Sequence, residues 1–142
     1  MPGYHTGPAC HIGWLVGARH SHLDNAGYSL DQSAGNKGQA LTPAGIAKTL
    51  IEEERWRQIL SSLVVCFFAR KVYDEATVLD ALHAAGYEVS TDELARLGAE
   101  TLRHKIAFKE REGFDPSALR IPQRIIETPS PAGPFDAEFV RE

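Results

Sequence analysis

The sequence predicts an all-α protein that is mostly helical, with several packed helices and long irregular N- and C-terminal segments. Between residues 42 and 113, apolar side chains recur at helical spacing and are bracketed by residues that start and stop helices. The ends are rich in Gly, His, Asn or Pro and show little periodicity, and in the first of them only IGWLVGARHSHL could be a short helix. We therefore interpret the 142 residues as one domain with an irregular segment (1–41), a helical core (42–113) and an irregular tail (114–142).

Capping residues define the first two helices of the core. Thr42 can cap the first helix with Pro43 at its first position, where a missing N–H costs nothing. The segment EEERWRQ of this helix is expected to lie largely on the solvent side. Asp74 can cap the second helix, and Gly86 can end it in a left-handed conformation. The first helix carries its apolar residues close to helical spacing: Ile46, Leu50, Ile51, Trp56, Ile59 and Leu60.

The third helix opens with a capping box formed by Ser90 and Glu93 and is expected to stop at Gly113. Gly98 lies inside it, where glycine costs about 1 kcal/mol relative to alanine. Such a glycine predicts a close crossing with a neighbouring helix. After Pro116 the chain becomes irregular and rich in proline.

Composition excludes several classes of protein. The formal net charge is −4, so nothing suggests the strongly basic face of a nucleic-acid-binding protein. Two cysteines cannot form a disulfide framework, which favours a reducing compartment. No apolar stretch approaches the roughly 20 residues that span a bilayer. The N-terminus also lacks the pattern of a signal peptide, so we expect a cytoplasmic protein that binds neither nucleic acid nor membrane.

Histidine is concentrated near the N-terminus, where His5, His11, His20 and His22 accompany Cys10. Imidazole and thiolate are zinc ligands, so a zinc-binding module is conceivable. The spacings Cys10-His11 and His20-x-His22 match no standard structural zinc site. The alternative is a set of polar loop residues that bond to backbone or to a ligand.

The segment RHSHLDNAGYSLDQ, residues 19–32, is unusually polar and lacks an apolar stripe. Burying it without partners would destabilise the fold, so we expect it to meet water or the polar groups of a ligand. From these residues alone, a functional loop and a solvated loop without a function are equally good interpretations.

Cys66 lies in one of the most apolar runs of the chain, ILSSLVVCFFAR. Cysteine is among the most buried residue types, so the residues alone favour a structural cysteine in the core. A thiolate in such surroundings would need a cation or a metal cluster to offset its desolvation.

Taken together, five motifs resemble the C-terminal domain of the tungsten-containing aldehyde:ferredoxin oxidoreductases. Each motif is weak alone, but they occur in the family's order and cover nearly the whole chain. They are MPGYHTGP, RHSHL, SSLVVCFF, STDELARLGAETLRHKIAFKEREGFD and RIPQR.

The resemblance implies roles for particular residues. Cys66 would be one of four thiolates that hold a [4Fe-4S] cluster, whose low exposure helps to set its potential. His22 would be catalytic, lying near the pterin and substrate cavity where it assists proton transfer. Residues 1–41 would face a tungsten (or molybdenum) bis-pterin cofactor. The residues expected to contact this cofactor are Ser61, Val65, His20, Asp24 and Asn25.

The chain departs from the family pattern at four positions, which indicates a divergent branch. An aspartate that contacts pterin is replaced by Ser61, and the glycine and leucine before the cysteine are Val64 and Val65. An asparagine in the Phe-Asn-x-Arg-Glu-Gly-Phe run is Lys109. The substrate and one pterin contact therefore do not follow from the resemblance.

In the family, the pterin-binding domain and the other three cysteines precede this region. We therefore expect this chain to be a fragment, a separately encoded subunit or a remnant, and to be inactive alone. In the complete enzyme, aldehyde would be oxidised to carboxylic acid, with electrons passing through the cluster to ferredoxin. The expected partners are the pterin- and cluster-binding remainder of the enzyme and ferredoxin. Residues 1–41 should be loose unless such a partner or a second copy of the chain, in a homodimer, covers them.

Two alternatives belong to other classes. One is a non-catalytic helical interaction protein that kept the fold, which Ser61 in place of aspartate favours slightly. The other is the histidine-rich zinc-binding module.

Overall fold

The structure, a computed structural model, describes residues 6–20, 26–37, 41–130 and 133–142. Over these residues it contains helices and no β-strand, which confirms the predicted all-α class. None of these helices is long and apolar enough to cross a membrane. The helices are α1 (Pro8–Val16), α2 (Gly27–Lys37), α3 (Pro43–Ser62), α4 (Glu75–Ala84), α5 (Thr91–Arg111), α6 (Gln123–Glu127) and α7 (Ala137–Arg141), with single 3-10 turns at Phe67–Ala69 and Pro116–Ala118.

The helix boundaries of the core follow the predicted caps. The Thr42 hydroxyl accepts a hydrogen bond from the Gly45 amide at 3.2 Å, and Asp74 caps α4 in the same way. Ser90 and Glu93 form the predicted capping box at the start of α5. These side chains satisfy backbone N–H groups that the first turn of a helix leaves without an intrahelical partner.

The long helices α3 and α5 pack against each other and form the most extensive helix–helix contact among the described residues. The two helices approach closely at Gly98, since a Cβ there would lie 2.7 Å from the carbonyl oxygen of Arg55. The predicted close crossing is thus confirmed. Around it, one apolar cluster is formed by Ile59, Leu60, Val78 and Leu94.

The segment before residue 42 contains two helices, α1 and α2, whereas the sequence offered only IGWLVGARHSHL as a possible short helix there. α1 packs on α2 through small residues, and a Cβ on Gly27 would overlap the backbone of Ala9. Close backbone packing of this kind uses few large apolar side chains, so it produces no amphipathic pattern in the sequence. A second apolar cluster joins these helices to the first half of α3 through Ala9, Ala26, Ile46 and Leu50.

The middle of α3 differs from the prediction. The segment EEERWRQ was expected to lie largely in solvent, yet Glu54, Arg57 and Gln58 are buried, whereas Ile51 is 47% exposed. The cause is tertiary, because lysines of α5 reach over this face of α3. Lys105 Nζ donates to Gln58 Oε1 at 2.5 Å.

Lys109 extends the same polar layer from α5 to the segment that follows α1. Its Nζ donates to the carbonyl oxygen of Gly17 at 2.7 Å and lies 3.7 Å from the centroid of the Phe114 ring. Burial lowers the pKa of Lys109, and the negative charge of Glu54 opposes that shift. The residue that departs from the family's asparagine therefore joins three parts of the chain.

Candidate functional site

The site is built at the C-terminal end of α3, where the chain makes a Schellman turn. The amide of Val64 donates to the Ser61 carbonyl at 3.1 Å, and the amide of Val65 donates to the Leu60 carbonyl at 2.9 Å. Val64 has a φ of 60°, the left-handed conformation that this turn requires. The turn directs the chain away from the helix axis and presents Cys66 beyond the helix end.

Val64 carries backbone strain. The helices α4 and α5 end in the same pair of hydrogen bonds, but with Gly86 and Gly113 at the left-handed position. A side chain with Cβ in this conformation costs roughly 1–2 kcal/mol, and a β-branched residue is a genuine outlier there. The resemblance places a glycine at this position, so the valine keeps the turn at a cost in stability. Strain of this kind concentrates at functional sites.

Cys66 is exposed, which corrects the expectation from residue type that it would be a core cysteine. The reason is that α3 ends at Ser62, so the apolar run continues into an exposed turn rather than along the buried face of a helix. The Cys66 carbonyl accepts from the Ala69 amide at 2.9 Å, which closes the 3-10 turn. Cys66 borders a groove of about 480 Å³ whose lining also includes Leu63, Val64, Val65, Ala69, Tyr73, Val78, Ala81 and Leu82.

The apolar side chains around this turn face solvent. Val64 is 90% exposed and Phe68 is 86% exposed. We call this set the apolar rim; its members are Leu63, Val64, Phe68, Val72 and Tyr73. These five exposed residues lie within one short stretch of the chain, residues 63–73, and a large exposed apolar surface is typical of an interaction site.

A second cavity, of about 340 Å³, shares Val64 and Val65 with the groove. We call it the arginine cavity because Arg19, Arg57 and Arg70 line it, together with Leu60, Ser61, Val64, Val65 and Phe67. The guanidinium carbons of Arg57 and Arg70 lie 5.0 and 4.0 Å from the centroid of the Phe67 ring. Arg70 also donates to the Phe67 carbonyl at 3.2 Å.

Two of the five residues expected to contact the cofactor lie on the arginine cavity. Ser61 and Val65 line the arginine cavity, and His20 follows Arg19 in the chain. The exposed His20 ring has its Nδ1 2.5 Å from the Trp14 carbonyl oxygen. The predicted residues His22, Asp24 and Asn25 lie outside the described residues.

The arginines are the feature that sequence reasoning missed. Arg19 lies in the segment after α1, Arg57 in the middle of α3, and Arg70 directly after the 3-10 turn Phe67–Ala69. No spacing along the chain relates them. The buried Arg57 was assigned to the solvent side of α3, which hid the cavity.

Cys10, by contrast, is buried in α1 beside Asp31 of α2. Burial, the largest cause, raises the pKa of the Cys10 thiol to about 11, and the nearby Asp31 carboxyl contributes in the same direction. A thiol with this pKa is protonated at neutral pH and is a poor metal ligand.

Asp31 provides a tertiary cap that the sequence did not reveal. Gly7, which precedes α1, offers no side chain, and Asp31 accepts instead from the amides of Ala9 at 3.2 Å and Cys10 at 2.8 Å. The Thr6 hydroxyl donates to the same carboxyl at 3.3 Å. Burial raises the pKa of Asp31, although these hydrogen bonds oppose the shift. Sequence reasoning missed this cap because it did not predict the start of α1 at Pro8.

The described residues do not assemble the zinc site that the sequence left open. No group of three or more His, Cys, Asp or Glu side chains suited to a metal ion occurs among them. His11 packs edge-on against Phe135 at 5.0 Å between ring centroids. His5 and His22 lie outside the described residues.

A comparison with models of protein families identifies the family of this chain. The family model described as aldehyde ferredoxin oxidoreductase, domains 2 & 3, matches residues 4–142. The chain therefore belongs to the aldehyde ferredoxin oxidoreductase family. Comparisons with curated proteins and with solved structures gave no match.

Proposed function

We propose that this chain is the C-terminal part of a tungsten or molybdenum pterin oxidoreductase that converts an aldehyde to a carboxylic acid, in which Cys66 is a ligand of a [4Fe-4S] cluster. The observation that carries the proposal is the exposure of the Cys66 thiol inside the apolar rim. Membership in the aldehyde ferredoxin oxidoreductase family supports it.

The position of Cys66 fits a ligand that a second part of the enzyme covers. Cysteine is usually buried, and exposed apolar side chains lose the free energy that burial would provide. Docking of the cluster-binding remainder onto the rim would remove Val64 and Phe68 from water and enclose the Cys66 sulfur. Such an enclosed, apolar setting suits an iron–sulfur cluster.

The chain can supply only a single thiolate to this cluster. A [4Fe-4S] cluster requires four cysteine ligands. Cys10 is buried, its thiol has a pKa of about 11, and its backbone amide donates to Asp31. The other three ligands would come from the remainder of the enzyme, so the isolated chain would be inactive. When bound, the metal pterin and the cluster supply the oxidation of the aldehyde and the electron path to ferredoxin.

The residues near the arginine cavity would form one wall of the cofactor site. Ser61 would offer a hydroxyl, which can both donate and accept hydrogen bonds, where an ionised aspartate would only accept. The apolar side chain of Val65 would exclude water from the cofactor site. His22 would exchange a proton with the substrate, while His20, Asp24 and Asn25 would contact the cofactor. In the cytoplasm, a reducing environment would keep Cys66 available as a ligand.

Reconstitution tests the proposal. The chain is produced with the pterin-domain remainder of the enzyme, and iron, tungsten and molybdenum are measured in the purified complex. We expect about four irons per complex and their loss in Cys66→Ser. The matched control is Cys10→Ala, which removes the other thiol and should keep the iron. Unchanged iron in Cys66→Ser would refute the ligand assignment.

A non-catalytic interaction protein is the second candidate function. Ser61 in place of the aspartate and the extent of the apolar rim favour it. This alternative predicts a stable complex with the partner that contains no iron, whether or not Cys66 is present.

A further inference from the structure

We propose that Lys109 is a positioning residue for His20: through the carbonyl of Gly17 and the ring of Phe114, it holds the imidazole in the tautomer that carries its proton on Nδ1. This inference deepens the proposed function, and it rests on that function only for what His20 contacts in the complete enzyme. The way in which His20 is held follows from the described residues alone.

The first step is the tautomer of His20. Its Nδ1 lies 2.5 Å from the carbonyl oxygen of Trp14, and a carbonyl oxygen can only accept a hydrogen bond. Nδ1 must therefore carry a proton, and Nε2 of the neutral ring is left as a hydrogen-bond acceptor. The group that His20 meets in the complete enzyme would then be an N–H or O–H donor.

The second step is the restraint on the His20 ring. A single hydrogen bond at Nδ1 leaves the imidazole free to swing about that bond, and the ring of Phe114 limits this movement. The two ring centroids lie 5.9 Å apart, with the ring planes inclined at 57°. Aromatic rings attract each other at this separation. Because Phe114 follows the end of α5, a distant part of the chain determines the orientation of His20.

The third step is the way in which Lys109 holds Phe114. The Phe114 amide donates to the Lys109 carbonyl at 2.9 Å and closes the turn that the left-handed Gly113 allows after α5. The turn brings the Phe114 ring to the Lys109 side chain, whose Nζ lies 3.7 Å from the ring centroid. An ammonium group at this distance is attracted to the face of an aromatic ring. Both the backbone and the side chain of Lys109 thus fix the ring that contacts His20.

Lys109 also holds the backbone that leads to His20. Its Nζ donates to the Gly17 carbonyl at 2.7 Å, and the negative charge of the buried Glu54 favours its charged form. Gly17 fits closely, since a Cβ there would overlap the carbonyl oxygen of Gly13 and lie 3.0 Å from Glu54 Oε1. Asparagine, which the family resemblance places at position 109, has a shorter side chain without a charge. The restraint is therefore particular to the lysine of this chain.

The test is NMR of the full chain, labelled with a nitrogen isotope in its histidine rings, at about pH 8.5, where histidine side chains are ordinarily neutral. The chemical shifts of the two ring nitrogens report which of them carries the proton. The signals of His20 are assigned by their loss in His20→Gln. We expect the form protonated on Nδ1 to dominate, whereas a ring without this hydrogen bond would populate both forms.

Lys109→Met removes the ammonium group and keeps most of the side-chain volume. The population of the Nδ1–H form of His20 should fall at least about twofold, because the ring and the preceding backbone are no longer held. Lys109→Arg keeps a cation that can donate and contact the Phe114 ring, so it should retain more of the Nδ1–H form than Lys109→Met.

Lys105→Met is the matched control, because Lys105 lies in the same helix but its Nζ donates to Gln58 rather than to Gly17. It removes a polar contact between α3 and α5 and should leave the tautomer of His20 unchanged. Phe114→Leu removes the ring and keeps Lys109, and should shift the tautomer as Lys109→Met does. Thermal melting verifies that each variant folds.

Three results would each overturn the proposal. They are anything other than a dominant Nδ1–H form in the unsubstituted chain, an equal change in Lys105→Met, and an unchanged tautomer in folded Lys109→Met or, where that variant does not fold, in Phe114→Leu. The test involves no iron, so a failed positioning role for Lys109 is distinguishable from a failed cluster assignment for Cys66.

Discussion

The two cysteines of this chain occupy opposite environments. Cys10 is 1% exposed, its amide donates to a buried carboxylate, and its thiol pKa is about 11. Cys66 is exposed on a turn and lies among apolar side chains that also face solvent. For Cys66 the sequence suggests the reverse, since Val64, Val65, Phe67 and Phe68 around it are all apolar.

The difference shows that neighbours in the sequence do not determine burial at a helix end. Cys10 is buried because α2 packs closely on α1 through small residues and brings Asp31 to the start of α1. Cys66 is exposed because a left-handed residue ends α3 two positions before it. In the first region Asp31 accepts from the amides of Ala9 and Cys10, whereas the second region leaves apolar side chains exposed.

Thiol labelling should give the largest contrast between the two regions. At about pH 8, a thiol of pKa about 11 is ionised to roughly one part in a thousand, and the folded chain also shields its sulfur. We expect iodoacetamide to modify Cys66 at least about a hundredfold faster than Cys10 in the native protein. Peptide mass spectrometry over time measures both rates in one sample. Equal rates in the native state, together with equal rates in urea, would contradict the described burial.

The pH dependence of stability should have opposite signs at two capping aspartates. Because burial raises the pKa of Asp31 in the folded state, its carboxyl contributes most stability below the unfolded pKa, and this contribution is lost as pH rises through the folded pKa. Asp74, which caps α4 beside the Cys66 groove, has a lowered pKa because Thr77 donates to it. Its contribution is present above the unfolded pKa and is lost as pH falls through the folded pKa.

Urea unfolding of Asp31→Asn and Asp74→Asn at several pH values measures this contrast. Asp31→Asn should destabilise the protein by about 2 kcal/mol, since the amide replaces an acceptor oxygen with a donor that faces backbone N–H groups. The difference from the unsubstituted chain should shrink as pH rises for Asp31→Asn and grow for Asp74→Asn. If the stability difference from the unsubstituted chain changed in the same direction with pH for both variants, the two aspartates would not have pKa values shifted in opposite directions.

Val64→Gly should give the smallest effect, an increase in stability of about 0.5–1 kcal/mol. The substitution relieves the left-handed strain and loses little packing, because Val64 is 90% exposed. The matched reverse change is Gly86→Val at the equivalent position of α4, where we expect a loss of about 1–2 kcal/mol. Both are measured by urea unfolding. A destabilised Val64→Gly would mean that the Val64 side chain packs against the protein despite its exposure.

The sequence by itself determined the all-α class and the starts of α3, α4 and α5. Thr42, Asp74 and the Ser90–Glu93 box act through bonds within a few residues of themselves, so their effect is readable locally. Gly98 was also readable, because a glycine inside a long helix has few uses other than close packing. The motif order indicated the family.

Only the tertiary structure decided which side chains are buried and which converge. Asp31 caps a helix that begins more than twenty residues earlier, and the arginine cavity draws on Arg19, Arg57 and Arg70 from three separate parts of the chain. The exposure of Cys66 depends on where α3 ends relative to an apolar run that looks continuous in the sequence. These features arise from contacts between residues distant along the chain, and hydrophobic periodicity, which describes one helix at a time, contains no information about them.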